Sequence, residues 1–204
     1  MNRFLHFLIM LTAAVLLAAC ASLPQRLVLQ PTVPPPEADA APVAARQEVP
    51  LRIVDSRLDS TLGCFEHGKG ECQPFLATRE LDIVVREAVA AGMRSKGFIP
   101  LAGVQENRRS LTVEIQHFNH HVSSGLVKVS ARTNIALKTM AVNGGRSLTG
   151  YYTVDKQEVL VVRPGIRQNQ KLVNEALDAV LEKIFQDRKL WQLLAGQTEK
   201  TPMQ

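Results

Sequence analysis

The sequence predicts an α+β fold in which two helices pack on one face of a mainly antiparallel sheet. In two segments, apolar residues recur at three- and four-residue steps, which is typical of amphipathic helices. Between these segments, apolar and polar residues alternate, as expected for strands with one buried face. Asn143-Gly144-Gly145 joins two of the alternating segments and favours a hairpin turn.

The N-terminus predicts export and lipid attachment. Arg3 precedes an apolar run over residues 4–19, which is too short for a stable membrane-spanning helix and is typical of a signal peptide. The run ends in Leu17-Ala18-Ala19-Cys20, which resembles the bacterial lipobox, whose cysteine receives a diacylglyceryl group. A buried helix here would leave an apolar terminus without a polar face. We therefore predict a signal peptide over residues 1–19 and lipidation of Cys20.

The residues after Cys20 and the overall charge narrow the location and the partners. Ala21 and Ser22 follow the cysteine, and by resemblance to such lipoproteins the absence of Asp favours the outer membrane, facing the periplasm. Attached acyl chains, at about 0.8 kcal/mol per buried methylene, would make the membrane attachment permanent. Removal of Arg3 with the signal peptide lowers the formal charge from +5 to +4. The sequence lacks the dense cluster of basic and aromatic residues that is typical of nucleic-acid binding, so we predict no nucleic-acid partner.

Residues 20–50 are predicted to hold the lipidated N-terminus, a short strand and a proline-rich linker. The strand is expected at Arg26-Leu27-Val28-Leu29-Gln30, and prolines recur from Pro31 to Pro50. If this strand returns to the main sheet, the proline segment is a loop. Otherwise it is a tether that reaches at most roughly 60 Å, at about 3.1 Å per residue. A single α+β periplasmic domain over residues 51–197 and a flexible tail over 198–204 follow.

The first part of the domain predicts a strand over residues 49–58 and then a helix that Thr78 can cap. Gly97 can end this helix in the left-handed conformation, and Phe98 can fold back onto the apolar stripe. That stripe consists of Leu81, Val84, Val85, Ala88, Val89 and Met93.

Three strands and a second helix complete the predicted domain. Alternation over residues 111–116 and 127–141 predicts two strands, and the third follows the glycine turn and runs through Val154, so that two hairpins build the sheet. Asn169 is placed to cap the second helix, whose apolar stripe ends at Phe185. A short last helix is expected around Leu190, Trp191 and Leu194.

Cys64 and Cys72 are expected to form a disulfide, because paired cysteines oxidise in the periplasm. Closing this short loop would stabilise the fold by about 2.5 kcal/mol on the chain-entropy estimate. The alternative is a metal site that uses Cys64, His67 and Cys72, but the spacing matches no familiar zinc pattern and a fourth ligand is not evident. We predict no metal and no cofactor.

Three histidines near the end of a predicted strand are the other candidate for chemistry. On an extended strand His117 and His121 share a face about 13 Å apart, at roughly 3.3 Å per residue, and His120 points the other way. Ser123 and Ser124 beside them hint at a nucleophile, but no Gly-x-Ser-x-Gly elbow is present. We interpret these residues as the polar end of a strand and predict no catalytic residues.

Several of these segments together resemble the YajG-like lipoproteins, an uncharacterised family of envelope proteins. The resemblance covers most of the mature chain, which departs from the family in its long proline segment and in the cysteine pair. It brings no catalytic residues, because the family has no assigned activity. The residues that carry it are Leu17-Ala18-Ala19-Cys20, Leu27-Val28-Leu29-Gln30-Pro31, Lys96-Gly97-Phe98, the helix over 169–185, Asp187, Leu190 and Leu194.

The sequence favours a non-catalytic interaction or assembly module of the envelope, because it offers a sheet and an anchor but no catalytic motif. Tyr151 and Tyr152 are adjacent in a strand, so one ring must point outward and could contact a partner. The alternative is a binder of a small envelope ligand, lipid or glycan, which requires an apolar pocket between helices and sheet. A hydrolase that uses His120 and His121 is the third hypothesis.

Overall fold

The computed structural model describes residues 23–33, 43–67, 70–103, 109–125 and 128–197. Four parts of the chain discussed above lie outside the described residues: the predicted signal peptide, Cys20, residues 34–42 of the proline segment and the tail over 198–204.

Eight strands and three helices are present in the described ranges. The helices are α1 (Leu81–Ser95), α2 (Ile166–Gln186) and α3 (Arg188–Ala195). The strands are β1 (Gln25–Leu27), β2 (Glu48–Asp55), β3 (Gly63–His67), β4 (Glu71–Ala77), β5 (Ile99–Ala102), β6 (Arg109–Ser124), β7 (Val129–Asn143) and β8 (Arg146–Leu160).

The α+β class is confirmed, but the sheet is mixed rather than mainly antiparallel. The long strands β6, β7 and β8 form an antiparallel meander. The free side of β6 is shared by two strands, both parallel to it: β2 pairs with its first half and β3 with its second half. β5 extends the sheet beyond β2, while β4 and then β1 extend it beyond β3. Local alternation identifies strands but carries no information on these long-range parallel pairings.

A β-bulge between Ile115 and His117 divides β6. Before the bulge Leu111, Val113 and Ile115 face the core, and after it Phe118, His120 and Val122 do so. The extra residue shifts the alternation by one position, so the strand keeps an apolar inner face along its whole length. Its position also decides which histidines face outward.

The helices pack on the inner face of the sheet, and the core lies between the two layers. α1 covers β2 and β5, whereas α2 and α3 cover β7 and β8. Gly92 of α1 permits the close approach of the Phe185 ring on α2, since a Cβ at this position would lie 2.2 Å from a ring carbon. Trp191 of α3 is buried beside Phe98 and Phe185 and donates its indole hydrogen bond to the carbonyl of Ile184. In the described part of the chain, no helix is long and apolar enough to cross a membrane.

The helix ends confirm some predictions and correct others. Gly97 has φ of 88° after α1, and Phe98 is buried beneath the helix as predicted. Thr78 does not cap α1, whose N-cap is Glu80, without a side-chain hydrogen bond to the helix. Asn169 does not cap α2 either, because the helix begins at Ile166 after Gly165 and already includes Asn169 in its first turn.

The segment before α1 also differs from the prediction. Residues 63–77 form a hairpin of β3 and β4. The two strands are short and contain cysteine, glycine and proline, so their sequence does not show the usual strand pattern. The early strand does return to the sheet, as β1 pairs in parallel with β4. Further along, Thr32 donates its backbone hydrogen bond to Asp178 of α2. Val33 and Val43, the described residues on either side of positions 34–42, both pack against the core, which favours a loop over a tether.

Candidate functional site

The structure contains the disulfide between Cys64 and Cys72 that their spacing predicts. The two residues lie on adjacent strands of the β3–β4 hairpin, with Cα atoms 5.6 Å apart. Cys64 is half-buried, and Cys72 at the start of β4 is exposed. The bond therefore joins a half-buried residue to an exposed one.

His121 and Glu66 lie beside this disulfide. Because β3 pairs in parallel with β6, Cys64 is directly opposite His121. The Nδ1 atom of His121 is 3.8 Å from Sγ of Cys64, and its Nε2 atom is 3.1 Å from a carboxylate oxygen of Glu66. The sulfur, the imidazole and the carboxylate thus form a row on the outer face of the sheet.

The residues of a possible metal site differ from those that the sequence suggested. One donor atom each from Cys64, Cys72 and His121 lies within 4.8 Å of the others, so His121 occupies the place that sequence spacing gave to His67. His67 packs against Phe65 and approaches Gln73. A soft metal needs thiolates, and the disulfide engages both sulfurs. The oxidised protein therefore does not offer this metal set.

The outer face of β6, β7 and β8, which we call the open face, carries polar side chains that pair across the strands. Arg132 forms a bidentate ion pair with Asp155, and Lys138 pairs with Glu114. The guanidinium of Arg132 lowers the pKa of Asp155 through this hydrogen-bonded contact. A shallow depression on this face is lined by His117, Asn119, His121, Arg132 and Asn134. The imidazole, amide and guanidinium groups of these side chains suit a polar or anionic ligand better than an apolar one.

His120 lies on the inner face and is fully buried. Its Nδ1 atom is 2.8 Å from the hydroxyl of Thr133, and its Nε2 atom is 3.3 Å from the side-chain oxygen of Asn169. The amide of Asn169 donates onward to Gln25 of the first strand. Burial lowers the pKa of His120 to about 4, so the ring is neutral at pH 7. Its partners are Thr133 and Asn169 rather than the two serines at the strand end, which removes it from the hydrolase hypothesis.

The two adjacent tyrosines lie on opposite faces of β8. Tyr151 is on the open face and 69% exposed, whereas Tyr152 is on the inner face and 7% exposed. The hydroxyl of Tyr152 donates a 2.6 Å hydrogen bond to Asp187. Burial and this bond raise the pKa of Tyr152 to about 12. Of the two tyrosines, only Tyr151 is exposed enough to contact a partner. That contact stays a prediction.

Exposed apolar side chains are concentrated where β8 ends. Val159, Val161 and Val162 are between 58% and 92% exposed, and Ile166 at the start of α2 is 45% exposed. β8 is an edge strand, since its described pairing is with β7. In its middle, Lys183 of α2 donates to the carbonyl of Thr153. An edge strand with an apolar end is a feature that a partner can cover.

Sequence reasoning missed the surroundings of the disulfide and the buried polar network. Both depend on pairings between distant segments: β3 with β6 in one case, and α2 with β1 and β6 in the other. One signal was available, since residues two apart in a strand share a face and Cys64 and Glu66 have this spacing. It does not identify His121 as their neighbour.

The chain resembles known proteins in sequence, through one family, and in fold, through several solved structures. A family described as an uncharacterised lipoprotein matches residues 31–195, which extend from just after β1 to the end of α3. No curated protein matches the chain.

Solved structures share the fold at low sequence identity. A Xanthomonas campestris protein of the DUF330 family has a TM-score of 0.59 at 14% identity, covering 84% of this chain and 96% of its own. An uncharacterised protein has a TM-score of 0.50 at 10% identity, covering 80% of this chain and 98% of its own. A Helicobacter pylori protein described as a homologue of a neuraminyllactose-binding hemagglutinin reaches 0.46 at 12% identity, covering 82% of this chain and 94% of its own. At these identities, the first two similarities show a shared fold and nothing about function. The third is too weak to show even the fold.

Proposed function

This chain belongs to the YajG family of uncharacterised lipoproteins, and from that premise we propose that it is a non-catalytic interaction or assembly module held at the outer membrane through Cys20. The module docks an envelope protein, and the lipid keeps it at the membrane where that partner lies. The lipobox-like segment and the family support the anchor, and the exposed end of β8 supports the docking role.

The observation that carries the docking proposal is the apolar end of the edge strand. Val159 continues the open face, and Val161 and Val162 extend the apolar surface into the loop before α2. An extended segment of a partner can pair with a strand edge through its backbone and insert side chains against such residues. Tyr151, on the same strand and face, adds a ring with a polar tip to this surface.

Cross-linking in cells tests this surface. A photoreactive amino acid replaces Val159 in the full-length chain, and the matched control places it at Thr149, which is also exposed on the open face of β8. We expect a reproducible protein partner at position 159 and a much weaker product at position 149. Recovery of only abundant bystanders, or equal capture at both positions, contradicts the docking proposal.

The anchor has its own test, which is independent of the partner. In the Cys20→Ala variant we expect no incorporation of a labelled fatty acid and no recovery of the protein in the outer-membrane fraction. Asp at position 21 or 22 should move the lipidated protein to the inner membrane. Labelling of the Cys20→Ala variant would disprove attachment at this residue.

A second candidate function is the binding of a small envelope ligand, lipid or glycan, and the depression on the open face favours a polar glycan. Arg132 and His117, which line it, can donate hydrogen bonds to carboxylates or hydroxyls. A thermal shift with cell-wall fractions tests this role, because a ligand of the folded state raises the unfolding midpoint. We expect the shift to disappear in Arg132→Ala and to persist in Thr149→Ala. An unchanged midpoint across lipid and glycan fractions contradicts it.

A further inference from the structure

We infer that the Cys64–Cys72 disulfide is redox-active, with Cys72 as the sulfur that an incoming thiolate attacks and Cys64 as the leaving group assisted by His121. This goes beyond the docking role and does not depend on it. The inference rests on the side chains around the bond and on the unequal exposure of its two cysteine residues.

The surroundings of Cys64 match those of an activated thiol. Nδ1 of His121 faces Sγ of Cys64 at 3.8 Å, and Glu66 accepts the hydrogen bond from Nε2 at 3.1 Å. A sulfur next to an imidazole that a third group orients is the arrangement of activated cysteine nucleophiles. The carboxylate holds the ring so that Nδ1 remains directed at the sulfur, and the ring can then exchange a proton with it.

Access points to the other sulfur as the site of attack. Cys72 is exposed at the start of β4, whereas Cys64 is half-buried between β4 and β6. Exchange requires the attacking thiolate to approach in line with the S–S bond, and its rate depends on which sulfur is accessible and on how well the other one leaves. Both conditions favour attack at Cys72.

The co-reactant is a dithiol, small or protein-borne. One of its thiolates bonds to Sγ of Cys72, the S–S bond breaks, and its electron pair moves to Sγ of Cys64, which takes up a proton from solvent by way of the His121 ring. The second thiol of the co-reactant then attacks its own sulfur in the mixed disulfide, and Cys72 leaves as a thiolate that takes up a proton. The protein gains two electrons and two protons, and the dithiol is oxidised to a disulfide.

The first experiment measures the rate at which dithiothreitol reduces the full-length protein, with EDTA present so that no metal captures the thiolates. The variants are His121→Gln and Glu66→Gln, and the control is His117→Gln, which changes another histidine of the same face. His121 and Glu66 are 39% and 46% exposed, so their replacement leaves the core intact. We expect His121→Gln to slow reduction about threefold, because the departing sulfur loses the neighbouring imidazole and exchange rates depend only partly on the leaving thiol, and Glu66→Gln to slow it less. The control should match the wild type.

The second experiment locates the attacked sulfur. The protein reacts briefly with glutathione, and N-ethylmaleimide then caps the released thiol so that the adduct cannot move. Trypsin cleaves after Lys69 and separates the two cysteines into different peptides. We expect mass spectrometry to find glutathione mainly on Cys72. A chiefly Cys64-bound adduct overturns the assignment of the leaving group.

A third measurement separates leaving-group assistance from a change in access. In Cys72→Ser, iodoacetamide alkylation read at the Cys64 peptide by mass spectrometry, and therefore without a contribution from Cys20, reports the reactivity of the Cys64 thiol, and adding His121→Gln should slow this alkylation. If His121→Gln leaves both the reduction rate and the alkylation rate unchanged, the disulfide is a structural bond only and the inference is wrong.

Discussion

His120 and His121 are neighbours in β6, yet they face different environments. His120 is buried under α2 in a closed set of hydrogen bonds with Thr133 and Asn169. His121 lies on the outer face of the sheet beside a disulfide and a carboxylate. Tyr152 and Tyr151 repeat the contrast on β8, with the first bonded to Asp187 in the interior and the second exposed.

The difference shows that residue type alone does not indicate a role. On the inner face, a polar side chain must have its hydrogen bonds satisfied by the protein, so it contributes to stability and loses access to other molecules. On the outer face the same side chain contributes little to stability and keeps its reactivity. Four substitution or pH experiments test this division, and the largest effect is expected at His120.

His120→Ala should reduce the free energy of unfolding by about 3 kcal/mol, because it opens a cavity and leaves Thr133 and Asn169 without their partner. His121→Ala should change it by less than about 0.5 kcal/mol, as is usual for surface positions. Urea unfolding followed by circular dichroism measures both. Equal losses in the two variants would break the division between the faces.

The disulfide is an exception to this division, because it lies on the outer face and still stabilises the fold. Cys72→Ser should lower the free energy of unfolding by about 2.5 kcal/mol, since the unfolded chain regains the freedom of the closed loop. Wild-type protein unfolded under reducing conditions provides the control and should lose the same amount. Maleimide labelling of Cys64 or Cys72 in the oxidised protein would contradict the bond itself.

Acidification should destabilise the fold through the buried His120. The folded-state pKa of His120 is about 4, below the roughly 6.5 of an unfolded histidine. The unfolded state therefore binds the proton first, and stability falls as pH decreases from about 6.5 towards 4, whereas above this window the group has no effect. Between pH 7 and 5 the loss should be about 2 kcal/mol. His120→Asn should remove this dependence, and its persistence in that variant would assign the loss to another group.

The tyrosine pair should give the smallest difference. Tyr152→Phe removes the hydroxyl that bonds to Asp187 and should cost about 1.5 kcal/mol, a usual value for a hydrogen bond to a charged group. Tyr151→Phe should leave the unfolding midpoint unchanged, because its hydroxyl lies on the exposed side of the strand. A larger loss in Tyr151→Phe than in Tyr152→Phe would contradict the placement of the two rings.

The parts of the fold that depend on local pattern could be predicted from the sequence. The apolar stripes gave α1 and α2, alternation gave β6 and β7, and the glycine turn gave the hairpin to β8. The parallel pairings of β2 and β3 with β6 could not be predicted, because they join segments that are distant in sequence. The cap predicted at Asn169 failed for a related reason, since this side chain is engaged by the core rather than by its own helix.

The candidate site divides in the same way. The pairing of Cys64 with Cys72 follows from their proximity in sequence and the predicted compartment. The position of His121 beside them follows from the register of β3 on β6 and from the bulge after Ile115, which determines which histidines face outward. Neither the register nor the bulge is visible in the pattern of residues.

The pairing of β1 at the end of the sheet limits how far the body can move from the membrane. β1 begins at Gln25, only five residues after Cys20, and five extended residues span at most about 18 Å. With the lipid on Cys20, this short connecting segment would keep the folded domain within about one domain diameter of the bilayer. A partner embedded in the same membrane, or one that approaches it closely, would be within reach, whereas one bound deep in the cell wall would not.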